Sequence, residues 1–186
     1  MSIPSIRDLA SYQPRWPAVI ELNIEGQWRA RWVNEETLPP GAPVLFAYGV
    51  VFHNERGYAV RRAGSEEPWG ALEVSVPFGS DPARAVAEAA RRQAGAVPQL
   101  TSLAGFLECK ATSQNPDFPA GTITVRPVYV VVARELRDLP EDPAWERRRF
   151  PMAEFMKVLR RRYPELATYF GEAGQKYLVL RSRGEA

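Results

Sequence analysis

The side chains with the most chemical scope in this 186-residue chain are carboxylates at Glu66, Glu67, Glu73, Glu88, Glu108 and Asp117, and arginines in two adjacent pairs, Arg61–Arg62 and Arg91–Arg92. Carboxylate oxygens are what hard divalent cations require. Guanidinium forks match phosphate oxygens and neutralise them without a metal. Trp69 and Phe118 offer flat faces on which a base or ribose could stack. Each feature also has a plainer reading: strand-end arginines are commonly solvated, and aromatics commonly anchor loops or cores. The remaining reactive types are sparse. One cysteine, Cys109, excludes an intrachain disulfide, and with one histidine, His53, a His-rich or Cys-rich zinc site is excluded too. A serine–histidine triad could be built only around His53. Cys109 reads as a small buried residue and His53, before a turn, as structural or exposed.

Positioning such groups requires a folded scaffold, and the composition supplies one. Hydrophobic residues are 45% and charged residues 25%, which is globular and of single-domain length. The 24 basic and 22 acidic residues leave +2, too little to imply nucleic-acid binding from totals. Basic residues concentrate late: residues 145–186 carry 10 against 5 acidic, including Arg147–Arg149 and Arg160–Arg162. Without an aromatic-interleaved pattern these runs read as a solvated basic face, and nucleic acid as an unexpected partner. No apolar run is long enough to span a membrane and no basic-then-apolar leader follows Met1, so a cytoplasmic location is expected.

Residues 1–42 read as a β-hairpin extension, residues 43–165 as the main domain and 166–186 as a short basic helical tail. Alternation at 18–24 puts Ile20, Leu22 and Ile24 on one face, and at 27–33 it groups Trp28, Ala30 and Trp32, with Glu25–Gly26 as the turn. Such a face must be buried against the body or a second subunit, because an isolated hairpin is marginal. Strands are expected at 44–53, 57–62, 71–77, 99–109 and 121–134, joined in part by a polar loop at 110–121. A helix is expected over 82–94, with Asp81 as N-cap, Pro82 at its first position and Gly95 as its stop. Ala83, Val86, Ala87, Ala90 and Ala94 form its small-residue stripe, and helical spacing returns at 151–163. The order indicates an α+β or α/β sandwich.

The segment "GVVFHNERGYAVRRAGSEEPWGALEVSVPFGSDPARAVAEAARRQAGAV" resembles the core of a Nudix hydrolase. The family's box reads G-x5-E-x7-R-E-U-x-E-E-x-G-U, and the spacing from Pro82 to Gly95 together with "GSDP" at 79–82 fixes a gap-free register. "FLE" at 106–108 and "RRFPMAEFMKVL" at 148–159 are similar to later family segments. The resemblance implies an α/β/α sandwich with a mixed β-sheet. It also implies a degenerate box: Ser80 stands at the first glutamate, Glu88–Ala89 at the Arg-Glu pair and Arg92–Gln93 at the Glu-Glu pair, with Gly95 retained. The family's glutamates hold Mg²⁺ or Mn²⁺. A guanidinium ~5 Å from such an ion costs about 6–7 kcal/mol at an effective dielectric of ~20, so the usual metal chemistry is not expected here.

Three functions follow as expectations. The first is a Nudix-like module without the usual pyrophosphohydrolase activity and with no cofactor, binding a nucleotide or nucleoside-diphosphate derivative or serving as a scaffold. Its ligand-binding candidates are Arg61, Arg62, Trp69, Arg91, Arg92 and Phe118. The second is a hydrolase of compounds such as ADP-ribose, with metal ligands relocated to Glu73, Glu88 or Glu108. The third is a regulatory or interaction protein using the basic C-terminal segment. Against the first stands a plain helix surface, in which Glu88 only pairs with Arg84, Arg91 or Arg92. Resemblance to the ADP-ribose-hydrolysing branch further implies a homodimer through the N-terminal hairpin, with folding back on its own domain as the competing view.

Overall fold

The computed structural model describes residues 22–139 and 144–186. Its eight strands form one mixed sheet: β1 (Leu22–Ile24), β2 (Trp28–Val33), β3 (Phe46–His53), β4 (Arg56–Arg62), β5 (Leu72–Ser75), β6 (Ala96–Ala111), β7 (Ile123–Leu136) and β8 (Trp145–Pro151), in the spatial order β1-β2-β6-β7-β3-β4-β8 with β5 also on β3. The β3–β7 pair is parallel and the other neighbours are antiparallel. The near-continuous apolar run of β3 has its reason here. It lies inside the sheet, flanked by β7 on one edge and by β5 and β4 on the other, with helices over both faces.

The helix α1 (Pro82–Ala94) starts where the sequence places it: the Asp81 carboxylate accepts from the Ala83 N–H at 2.9 Å. Gly95 closes it at φ 60°, in the left-handed region that suits glycine. Its buried stripe is Val86, Ala89, Ala90, Gln93 and Ala94, turned slightly from the expected one, so Ala87 is only half-buried while Ala89 and Gln93 are inside. These small residues let the helix lie close against Ala47, Val51, Phe106 and Val131. On the opposite face, α2 (Met152–Arg162) and α3 (Ala167–Ser182) cover Tyr48, Val50 and Phe52 with Phe155, Leu159, Phe170 and Tyr177. Phe52 and Tyr177 stack at 4.3 Å. The result is the expected α/β/α sandwich.

Two features differ from the sequence reading, and a third is left open by it. Residues 145–151 form the edge strand β8 on β4, which charge and a short run concealed. The segment read as a basic helical tail is α3, and it is no appendage: its Phe170, Ala173, Tyr177 and Leu180 belong to the core. The hairpin adds to its own body: β2 pairs with β6 from Trp28↔Ala111 to Val33↔Phe106. Trp28 is buried, and Trp32 stacks on Tyr169 at 5.0 Å. Its turn is as expected, with Glu25 and Gly26 both at positive φ (54° and 73°). Trp16 and Ile20 lie outside the described residues.

Candidate functional site

A cleft of about 890 Å³ opens between the end of β4, the loop to β5, the last turn of α1 and the end of α2. The chain reversal after β4 and the helix ends beside it bring together groups that are far apart in sequence. Arg61 and Arg62 come from β4, Glu67 from the loop, Glu73 from β5, Arg92 and Gln93 from α1, and Arg162 and Tyr163 from the end of α2.

Glu73 is the fixed acid of this cleft. The Tyr163 hydroxyl donates to Glu73 Oε1 at 2.6 Å, and Arg162 Nη2 lies 3.5 Å from the same oxygen and 3.0 Å from Glu67 Oε2. Burial, then the adjoining Glu73 charge, pushes the Tyr163 phenol well above its ordinary range, so it stays a donor. Burial alone would weaken the Arg162 proton's hold, but Glu73, Tyr163 and Glu67 outweigh it and raise the Arg162 pKa. Gly70 makes the arrangement possible: a Cβ there would stand 2.5 Å from the Tyr163 hydroxyl oxygen. The same residue exchanges two backbone hydrogen bonds with Val60, which holds the loop to β4.

The two arginines of β4 diverge. Arg61 Nε donates to Glu146 Oε2 at 2.7 Å and its guanidinium lies 4.4 Å over Trp69. Hydrogen bonds from Arg61 and the Gly64 N–H hold the Glu146 carboxyl below its ordinary range. Arg62 lies 4.2 Å over the Trp145 ring and, like the exposed Arg92, pairs with no carboxylate among the described residues. Gln93 is 2% exposed. Its Nε2 donates to the Glu73 carbonyl at 3.4 Å, and its Oε1 has no hydrogen-bond partner among the described residues.

Arg61, Arg62, Glu73, Arg92 and Gln93 thus meet as candidates in one place, with Trp69 touching through Arg61. Others stand elsewhere. Arg91 is exposed and turns back to the Ala87 carbonyl at 3.4 Å, Glu88 pairs with Arg84 at 3.0 Å along the helix surface, and Ala89 is wholly buried. Ser80 is exposed in the turn before α1. Phe118 packs 5.5 Å from Trp28, away from the cleft. Glu108 is buried in β6, directly across from Arg31 of β2. Among the described residues no three His, Cys, Asp or Glu side chains gather as a group that could hold a metal ion.

Arg162, Tyr163 and Trp145 were not singled out for this cleft by the sequence. Tyr163 does continue the apolar spacing of Phe155 and Leu159, a signal of burial though not of its partner. Helical spacing sets Arg162, seven residues after Phe155 and three after Leu159, apart from the exposed Arg160 and Arg161, but it does not name the carboxylates it meets. Of the other basic run, Arg147 turns inward and donates to the Ala94 carbonyl at 2.6 Å and the Arg137 carbonyl at 2.8 Å.

No protein-family model matches the sequence. A comparison with curated proteins likewise finds no match. Solved structures do match. The pyrophosphohydrolase BsRppH of Bacillus subtilis, in a substituted form, superposes with a TM-score of 0.51 at 9% identity, covering 66% of this chain and 72% of that one. The NUDIX domain of Shewanella oneidensis NrtR, solved with ADP ribose, gives a TM-score of 0.50 at 13% identity, covering 74% and 89%. At such identities the likeness is one of fold, and it agrees with the layers and the mixed sheet described above. The chain has a Nudix-like fold.

Proposed function

We propose that this protein is a Nudix-like module whose cleft binds a nucleotide or nucleoside-diphosphate derivative through arginine side chains, without the divalent-ion chemistry of the family's box. One observation carries the reading. The last turn of α1 offers Arg92 to the cleft, where Arg62 also stands without a carboxylate partner among the described residues, so the wall that would hold a cation is instead suited to anionic oxygens. The ADP ribose bound by the NrtR domain makes that compound a reasonable first probe.

The test is thermal stabilisation by ADP-ribose with EDTA present. A rise in Tm that is lost in Arg92→Ala supports the proposal, whereas no rise with any nucleoside-diphosphate derivative refutes it. The hydrolase reading draws on Glu67 and Glu73, which line the same cleft. Turnover of such compounds with Mg²⁺ or Mn²⁺, abolished by Glu73→Gln, would replace the first reading. The homodimer has a narrower basis. Since β2 lies on β6 of its own chain, two copies joined through the hairpin would meet at the outer edge of β1, which ends the sheet among the described residues.

A further inference from the structure

We propose that the cleft has two chemically distinct ends, so that its ligand is a phosphate ester carrying hydroxyl or amino donors: Arg62 and Arg92 take the phosphate, and Gln93 with Glu73 takes the donors. This rests on the reading above that the cleft accepts a phosphorylated compound.

The charges in the cleft are unevenly matched. Arg61 is neutralised by Glu146, and Arg162 is shared between Glu67 and Glu73, which leaves that end acceptor-rich. Arg62 and Arg92 line the cleft with no such carboxylate among the described residues and are its uncompensated cations. An inorganic anion can satisfy the cationic end alone. It gains nothing from the acidic one, whose like charge repels it.

Gln93 supplies the second, independent observation. Its Nε2 faces the Glu73 carbonyl, which only accepts, so the nitrogen is the engaged end of the amide and the carbonyl oxygen is the free end. That oxygen is buried and without a partner among the described residues, an unfavourable state for a polar group. The single bond holding the amide is long at 3.4 Å, so turning the amide toward the cleft sacrifices little. A ligand hydroxyl or amino group meeting Oε1 there satisfies an acceptor that the protein leaves open. The Glu73 side chain, held in place by Tyr163, lines the same cleft. Acceptors fixed beside a phosphate site discriminate against compounds lacking the matching donor, because binding those leaves the acceptor unpaired.

Calorimetric titration in EDTA with two probes tests this: inorganic pyrophosphate, which has the anionic group alone, and ADP-ribose, which adds hydroxyl and amino donors. Gln93→Leu and Gln93→Met keep the volume and remove the acceptor. We expect either variant to lose about tenfold in ADP-ribose affinity while pyrophosphate affinity changes little, and Arg92→Ala to weaken both probes alike. Pyrophosphate binding also reports that the variants are folded. If the wild-type protein binds both probes but the Gln93 variants change neither, or change both equally, the two-ended cleft is overturned while the phosphate reading stands. If the wild-type protein binds neither probe, the phosphate reading falls and this inference with it.

Discussion

At the scale of single residues, the cleft depends on contacts that tolerate no extra atoms. Gly70→Ala would drive a methyl group into the Tyr163 hydroxyl and part it from Glu73. A loss of about 1–3 kcal/mol is expected in urea denaturation, since β4, the loop and α2 must shift together. Tyr163→Phe removes only the hydrogen bond and should cost less, about 1 kcal/mol, because Glu73 is partly solvated and its charge is screened. Two other buried groups give stability a pH dependence. Burial pushes the Cys109 thiol from an ordinary 9.0 to about 11 and the Tyr48 phenol from 10.0 to about 12. Both favour the fold in their neutral forms. Their contribution is therefore complete below about pH 9 and is lost as pH rises through about 11 and then about 12. Denaturation midpoints flat near neutrality and falling above about pH 9, with a shallower fall in Cys109→Ala, are the expected result.

At the scale of elements, α1 lines the cleft with its last turn, and its two ends fix where Arg92 and Gln93 stand. The N-cap was legible in the sequence; the C-terminal clamp was not. Arg147 of β8 donates to the Ala94 and Arg137 carbonyls, closing the last turn of the helix onto the edge strand and the end of β7. A cation at a helix C-terminus also meets the negative end of its dipole. Arg147→Ala should destabilise the protein by about 1–2 kcal/mol in denaturant. It should also weaken any ligand held by Arg92 more than Arg149→Ala does, a difference readable by calorimetry. Asp81→Ala at the other end should cost about 1 kcal/mol with little effect on binding. The basic run 147–149 looked like a solvated face because strand alternation sends neighbouring arginines to opposite sides, and charge alone does not say which side is inside.

At the scale of the whole molecule, the hairpin is part of the sheet. Trp28 is 7% exposed and borders the core, so Trp28→Ala should cost about 3–5 kcal/mol and lower the single unfolding transition. A separate, low-temperature melt of the hairpin alone would contradict this account. Light scattering at micromolar concentration decides between monomer and dimer. By itself the sequence determined the strands with strong apolar runs, the helix 82–94 with its caps and the layered architecture. These follow from local spacing, capping chemistry and residue type, which need no knowledge of distant partners. Arg61, Arg62, Glu73, Arg92 and Gln93 were named from sequence, and the fold brought them to one cleft. Only the tertiary structure decided that Arg162 and Tyr163 complete it, that Phe118 and Glu108 face elsewhere, and that the late basic segment is a core helix. Those outcomes depend on which sides of sheet and helix meet after the chain has closed, over separations such as the 90 residues between Glu73 and Tyr163, and no local pattern encodes such a meeting.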